Sequence, residues 1–183
     1  MPCPYKLYIN TGKDDAGMDK QEYKELAAMS ANGDMKSFSR LYETIYREMY
    51  YAAYYSLAND GDAVRVITET VREGFGNIGR LHTEQSFRLY MMKTLCTKIR
   101  SCFRDYTEDG TVISYDAFRL HPNADGVDIK QEFNRLSDTE RLVASLYIGG
   151  RFRCEEIAQF TGLSSANVKR KLDRALASLE LDQ

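Results

Sequence analysis

Side chains able to carry out covalent or proton-transfer chemistry are few and scattered in this chain. Its four cysteines, Cys3, Cys96, Cys102 and Cys154, form no Cys-x-x-Cys pair, and only His82 and His121 are available to help them hold a metal. That spacing reads as free, mostly buried thiols in a reducing compartment rather than as a zinc site. Two histidines without clustered carboxylates leave little material for acid–base catalysis. Neither a Gly-rich phosphate loop nor a Gly-x-Ser-x-Gly elbow is present. No catalytic residue, metal or cofactor is expected, and the chain is not expected to be an enzyme.

Charge offers a different chemistry, the binding of a polyanion. The net charge over 183 residues is only −2, but its signs are segregated. From Ser86 to Arg104 there are five basic residues (Arg88, Lys93, Lys98, Arg100, Arg104) and no acidic one. From Asp105 to Glu140 nine acidic residues face three basic ones, and from Ser164 to Leu176 four basic residues face one Asp. Local sign governs contact with a polyanion within a Debye length, so two positive patches divided by an acidic span outweigh the total.

The elements that must position these patches are helical. Hydrophobic residues make up 43% of the chain and only three residues are proline, a composition that supports a real core. No run of about 18 apolar residues exists to span a membrane. The start at Met1-Pro2-Cys3-Pro4 lacks the basic and apolar stretches of a secretory signal, so a cytoplasmic location is expected. Asp19-Lys20-Gln21-Glu22 has the form of a capping box, with Glu22 reaching back to Asp19, and that helix should stop at Asn32-Gly33. A second helix is predicted from Asp34 to about Asn59. Its apolar positions Phe38, Leu41, Tyr42, Ile45, Met49, Ala53 and Leu57 follow three-and-four spacing. Asp62 is placed to cap a third, ending near Gly74-Phe75-Gly76. A fourth spans about Glu84 to Arg104.

The stretch from Tyr106 to Gly126 has no sustained period and reads as a linker, with an extended or strand-like piece at Thr111-Val112-Ile113. Helices resume near Asp128, and Ser137-Asp138-Thr139-Glu140 is a second capping box. The organisation predicted is all-α, in two small domains: a tail at 1–17, a helical domain at 18–105, an acidic linker at 106–127 and a second helical domain at 128–183.

The second domain contains the pattern of a helix-turn-helix. Ala158 is the small residue of the first helix, Gly162 marks the turn, and Ile157, Leu163, Val168 and Leu172 are apolar anchors. Ser164 is placed to cap the second helix. On a helical wheel Val168, Leu172, Ala175, Leu176 and Leu179 form the buried stripe. Ala166, Asn167, Arg170, Asp173 and Arg174 lie opposite, with Lys169 and Lys171 on the flanks. Asn and Arg can read base edges bidentately, Lys suits phosphate, and a helix N-terminus offers free N–H groups.

From Phe152 to Ala175 this segment resembles the promoter-binding helix-turn-helix, region 4, of bacterial RNA polymerase sigma factors. Leu136-Ser137-Asp138-Thr139-Glu140-Arg141 and Gly149-Gly150 also fit. The N-terminal half distinguishes the chain from stand-alone regulators with the same motif. Gly33-Asp34-Met35-Lys36-Ser37-Phe38 with Leu41-Tyr42 resembles the start of sigma region 2. Asp62-Ala63 and Glu69-Thr70 match parts of the segment that grips the polymerase clamp. The order and size are similar to the extracytoplasmic-function subgroup, in which regions 2 and 4 are joined by a linker.

The resemblance implies binding to core RNA polymerase and to promoter DNA, and an anti-sigma factor as a further partner. It implies minus-35 contacts by Ser165, Asn167, Lys169, Arg170, Lys171 and Arg174. Minus-10 contacts would come from Arg88, Lys93, Lys98, Arg100 and Arg104, and core contacts from Asp62, Arg65, Thr68 and Glu69. Val64 and Arg65 stand where the family has an acidic pair, and Thr68 replaces a Gln. Met91 or Met92 and Thr97 or Lys98 replace the Trp and Asn of the melting region. An acid changed to Arg65 would reverse a contact at a charged interface, worth several kcal/mol if desolvated. The alternative is therefore a stand-alone helix-turn-helix regulator that has lost core binding. Tyr42, Tyr46, Tyr50, Tyr51, Tyr54 and Tyr55 form an aromatic run at helical spacing. Packing beneath the first domain is the favoured reading, with base stacking the other.

Overall fold

A computed structural model describes residues 18–115 and 133–180, with side chains through residue 177. The 1–17 tail, residues 116–127 of the linker, the helix start near Asp128 and the Leu179 side chain lie outside the described residues. Within them the chain is all-helical, and Thr111-Val112-Ile113 forms no strand. The helices are α1 (Lys20–Ala31), α2 (Met35–Glu43), α3 (Tyr46–Leu57), α4 (Asp60–Asn77), α5 (Glu84–Asp109), α6 (Asp138–Ile148), α7 (Cys154–Thr161) and α8 (Ser165–Glu180), with a 3₁₀ turn at Ile78–Arg80. No helix among the described residues is long and apolar enough to cross a membrane.

Local chemistry sets most of the ends. The Asp19 carboxylate accepts from the Gln21 and Glu22 amides at 3.0 and 3.4 Å. Glu22 does not complete the box; it pairs with Arg40 on α2 at 2.6 Å. Gly33, at φ +96°, makes the turn into α2 without the penalty a Cβ would bring. The single helix expected from Asp34 to Asn59 is two. The Thr44 hydroxyl bonds back to the Leu41 carbonyl at 2.7 Å, and Ile45 leaves the helical region at φ −131°. The apolar face survives the break, because Phe38, Leu41, Ile45, Met49, Ala53 and Leu57 are all buried. Asn59, not Asp62, caps α4: its Oδ1 accepts from the Asp62 amide at 3.0 Å. Asp60 and Asp62 sit in the first turn, where the helix dipole favours anions. Helix α5 continues five residues past Arg104 and ends at Gly110, φ +70°.

The first unit packs α1–α4 around the apolar face of α5, whose Met91, Met92, Leu95, Cys96, Ile99 and Phe103 are buried. The second unit is not separate from it. Leu142, Val143, Leu146, Phe152, Ile157, Phe160, Val168 and Leu172 belong to the same continuous apolar cluster. Helix α6 lies against α3, and α7 against α5. Tyr54 and Tyr55 turn toward this junction, and Tyr55 stands 6.3 Å from Phe133 between ring centroids. The tyrosine run thus does more than pack beneath one domain. Its upper part is a ladder, Tyr42 to Tyr46 to Tyr50 to Tyr54, with centroids 5.5, 6.2 and 5.6 Å apart. Its lower end joins the two halves.

Gly149 sits where α6 meets α3. A Cβ there would come within 2.7 Å of a Tyr55 ring carbon and 3.1 Å of the Tyr51 carbonyl oxygen. The ring can move but the backbone cannot. Gly149→Ala is expected to destabilise the chain by about 1–3 kcal/mol, the range for overpacking, as measured by the urea midpoint. An unchanged midpoint would mean the two halves do not depend on this close approach.

Candidate nucleic-acid interface

The helix-turn-helix forms as its sequence dictates. Helix α7 ends at Gly162, φ +71°, whose amide bonds the Ala158 carbonyl at 2.9 Å. The Ser164 hydroxyl accepts from the Asn167 amide at 3.3 Å, capping α8. Ile157, Val168, Leu172 and Ala175 are buried, and Leu163 and Leu176 are half-buried against the core. Phe152 and Phe160 meet edge to face at 4.8 Å and close the base of α7.

This packing turns the opposite face of α8 to solvent. Ser165, Lys169, Arg170, Asp173 and Arg174 are exposed, while Asn167 and Lys171 are half-exposed. Arg170 donates to the Asn167 Oδ1 at 2.8 Å, so two side chains suited to base edges form one hydrogen-bonded unit. Ala166, Lys169, Arg170, Asp173, Arg174 and Ala177 line one open concavity. Five of the six residues predicted for minus-35 contact, Ser165, Asn167, Lys169, Arg170 and Arg174, thus share one outward surface. Lys171 lies on its edge, toward the start of α6.

That edge is tied to α6 electrostatically. Glu140 reaches back to Ser137, accepting from its hydroxyl at 2.6 Å and its amide at 3.2 Å. The hydroxyl bond is the main cause that holds the Glu140 carboxyl below the ordinary range; burial opposes it, and the Ser137 amide, Lys171 and Arg174 assist. A carboxyl depressed in the folded state stabilises above its ordinary value, about 4.3, and that contribution is lost as pH falls through the folded value. Glu140→Gln is expected to cost about 1 kcal/mol near neutral pH. The gap to the parent should close in acid, as followed by urea unfolding across the pH range.

The five basic residues of α5 do not act as one free patch. Arg88 donates to the Thr44 carbonyl at 3.1 Å and lies 3.7 Å from Glu48. Lys98 lies 3.2 Å from Glu73 and 3.7 Å from Glu69. Arg100 donates to the Thr161 carbonyl, at the end of α7, at 2.7 Å. Arg104 bonds the Ser101 hydroxyl at 3.1 Å, and both Lys93 and Arg104 are exposed. The structure therefore separates Lys93, Arg100 and Arg104, which are exposed, from Arg88 and Lys98, which are half-buried and paired with carboxylates.

The residues predicted for core contact come together on α4. Arg65 bonds Asp62 at 2.8 Å, lies 3.5 Å from Glu69, and donates to the Cys102 sulfur at 3.2 Å. Burial works to raise the Asp62 carboxyl, but bonds from Tyr106 and Arg65 outweigh it and hold the group below the ordinary range. Thr68 turns its hydroxyl back to the Val64 carbonyl at 2.8 Å, and Val64 itself is exposed. Arg65 is 48% exposed, yet its charge is matched by two carboxylates of its own helix. Tyr106 was placed in the linker by sequence reasoning. Its position one turn past Phe103 on the apolar phase of α5 was the signal that could have placed it in the helix.

No protein-family model and no curated protein matches this chain. Among solved structures it is similar to that of CnrH in complex with the cytosolic domain of CnrY. The TM-score is 0.63 at 21% identity, over 86% of this chain and 94% of that one. The likeness covers both helical units and shows a shared all-helical fold.

Proposed function

We propose that this chain is a sigma factor of the extracytoplasmic-function kind, which binds bacterial core RNA polymerase and directs initiation at promoters with its own minus-10 and minus-35 elements. The observation that carries this reading is the α8 face. Its Asn167–Arg170 unit and flanking Lys169 and Arg174 stand outward on a Gly-turned, Ser-capped helix-turn-helix. The sigma-like fold of the described residues supports the same reading. In this role Asn167, Arg170 and Arg174 read the minus-35 groove, and Ser165, Lys169 and Lys171 hold phosphates. Lys93, Arg100 and Arg104 are the exposed α5 cations that reach the minus-10 strand first. Arg88 and Lys98 join them only by giving up their ion pairs within the chain.

Asp62, Arg65, Thr68 and Glu69 form the surface offered to core polymerase. The case for a stand-alone regulator rested on Arg65 reversing a charged contact, and Arg65 spends its charge on Asp62 and Glu69. An antagonist that binds the chain off DNA belongs to this proposal, as CnrY's cytosolic domain binds CnrH. Nothing in the reading calls for catalysis.

Co-elution of the purified chain with bacterial core RNA polymerase on a sizing column tests the proposal directly. Co-elution supports it; no binding at about micromolar concentration, about −8 kcal/mol, overturns it in favour of a stand-alone regulator. With polymerase bound, Arg170→Ala is expected to cost about 1–3 kcal/mol at a promoter carrying its preferred base, and Lys171→Ala to weaken all promoters alike. Run-off transcription from base-substituted promoters reads both. An equal loss across those promoters for Arg170→Ala would remove it from the reading set.

A further inference from the structure

The outward face of α8 contains one residue whose charge is wrong for a polyanion. On a helical wheel Ala166, Arg170, Asp173 and Ala177 fall within about 60° of one another, with Lys169 and Arg174 on either side. The same six residues line the open concavity. Asp173 is exposed there, and no described residue hydrogen-bonds or ion-pairs with it, although Lys169, Arg170 and Arg174 are its neighbours along the helix. A carboxylate in a phosphate-lined groove is repelled within the Debye length, so on this face it either weakens all DNA binding or does something a cation cannot.

We propose that Asp173 is a specificity-determining residue that accepts a hydrogen bond from the exocyclic amine of a cytosine in the major groove. This rests on the reading of α8 as a DNA-binding helix. The chemistry follows from the donor and acceptor inventory. An ionised carboxylate only accepts, so it needs a donor on the base edge. Guanine and thymine present acceptors and are repelled. Adenine offers its N6 amine beside the N7 acceptor, whereas cytosine offers its N4 amine with no acceptor beside it on the same base.

The placement suits that role. Asp is short, so it reaches only an edge that comes close to the helix, and the methyl groups of Ala166 and Ala177 at either end of the concavity leave room for that approach. Arg170 and Lys169 have the length to reach past it to guanine or phosphate. The repulsion of Asp173 by wrong bases then supplies discrimination that favourable contacts alone do not. Asp173 differs in this from Asp62 and Glu140, whose carboxylates are bonded within the chain.

The test is selection from duplex DNA randomised over about one helical turn, using the full chain alone and bound to core RNA polymerase, for the parent, Asp173→Ala and Asp173→Asn. The parent is expected to enrich a position for cytosine. Asp173→Ala should lose that preference by roughly tenfold while binding the pool more tightly. Asp173→Asn should move the same position toward adenine, which an amide contacts through N6 and N7. The same base preferences in all three proteins, with or without a uniform gain in affinity, would overturn the proposal and leave α8 as a DNA-binding helix. If the parent enriches no sequence in either form, the DNA-binding reading of α8 fails and this proposal with it. Asp173 is exposed and unbonded, so both variants are expected to fold as the parent does.

Discussion

The second half of the molecule depends on one buried cation. Arg141 is only 5% exposed, and a guanidinium in such a place is tolerated only when its donors are filled. Four of its five N–H donors are engaged: Nε and Nη2 reach the Phe133 carbonyl at 3.3 Å each, Nη2 also reaches Leu136 at 3.0 Å, and Nη1 meets Asp138 at 3.1 Å. The carbonyls that end the segment before α6 find their partners in this one side chain. The Tyr115 ring lies 5.9 Å from the same guanidinium. Its hydroxyl crosses to the other half and donates to the Tyr55 and Ser56 carbonyls at the end of α3. One arginine and one tyrosine thus tie the start of the helix-turn-helix unit to the end of α3.

The position of α8 follows from that tie. Once α6 is fixed against α3, its buried Leu142, Val143 and Leu146 face the core that α7 and α8 complete. Arg100 then meets the Thr161 carbonyl, so a basic residue of α5 is also the cap on the last turn of α7. Approach at this junction is close because Gly149 offers no side chain. It has a cost: the hydroxyls of Ser56 on α3 and Ser145 on α6 are buried with no hydrogen-bond partner among the described residues, a penalty of about 1–3 kcal/mol each. The aromatic and aliphatic burial around Tyr55, Phe133 and Tyr115 must exceed that penalty for the halves to stay together.

Features governed by nearest neighbours were legible in the sequence, and those governed by distant ones were not. The turn at Gly162, the Ser164 cap, the apolar stripe of α8 as far as Leu176 and the stop at Gly33 each depend on residues a few positions apart, and all stand where the sequence pattern puts them. The break at Thr44 was hidden because the apolar spacing continues through it. The Thr44 hydroxyl competes for the Leu41 carbonyl where α2 gives way to α3. Asp62 looked like a cap because its type fits one, but Asn59 stands earlier and fits as well. Tyr54 and Tyr55 read as domain packing because nothing local says that a second domain will arrive at 133–149.

Charge shows the same limit most sharply. Counting along α5 from Ser86 to Arg104 gives five cations and no anion, which is correct for the segment and misleading for the surface. The compensating carboxylates come from other helices: Glu48 for Arg88, and Glu69 and Glu73 for Lys98. Arg65 is the mirror case, a cation whose partners Asp62 and Glu69 lie three and four residues away on its own helix. Those spacings were visible from the start, since residues so separated meet on a helix surface. A charge acts on a partner outside the molecule only after its neighbours inside have been counted. On α8 that count leaves Lys169 and Asp173 both exposed, with neither bound to the other, so the face presents mixed sign rather than a uniformly basic surface.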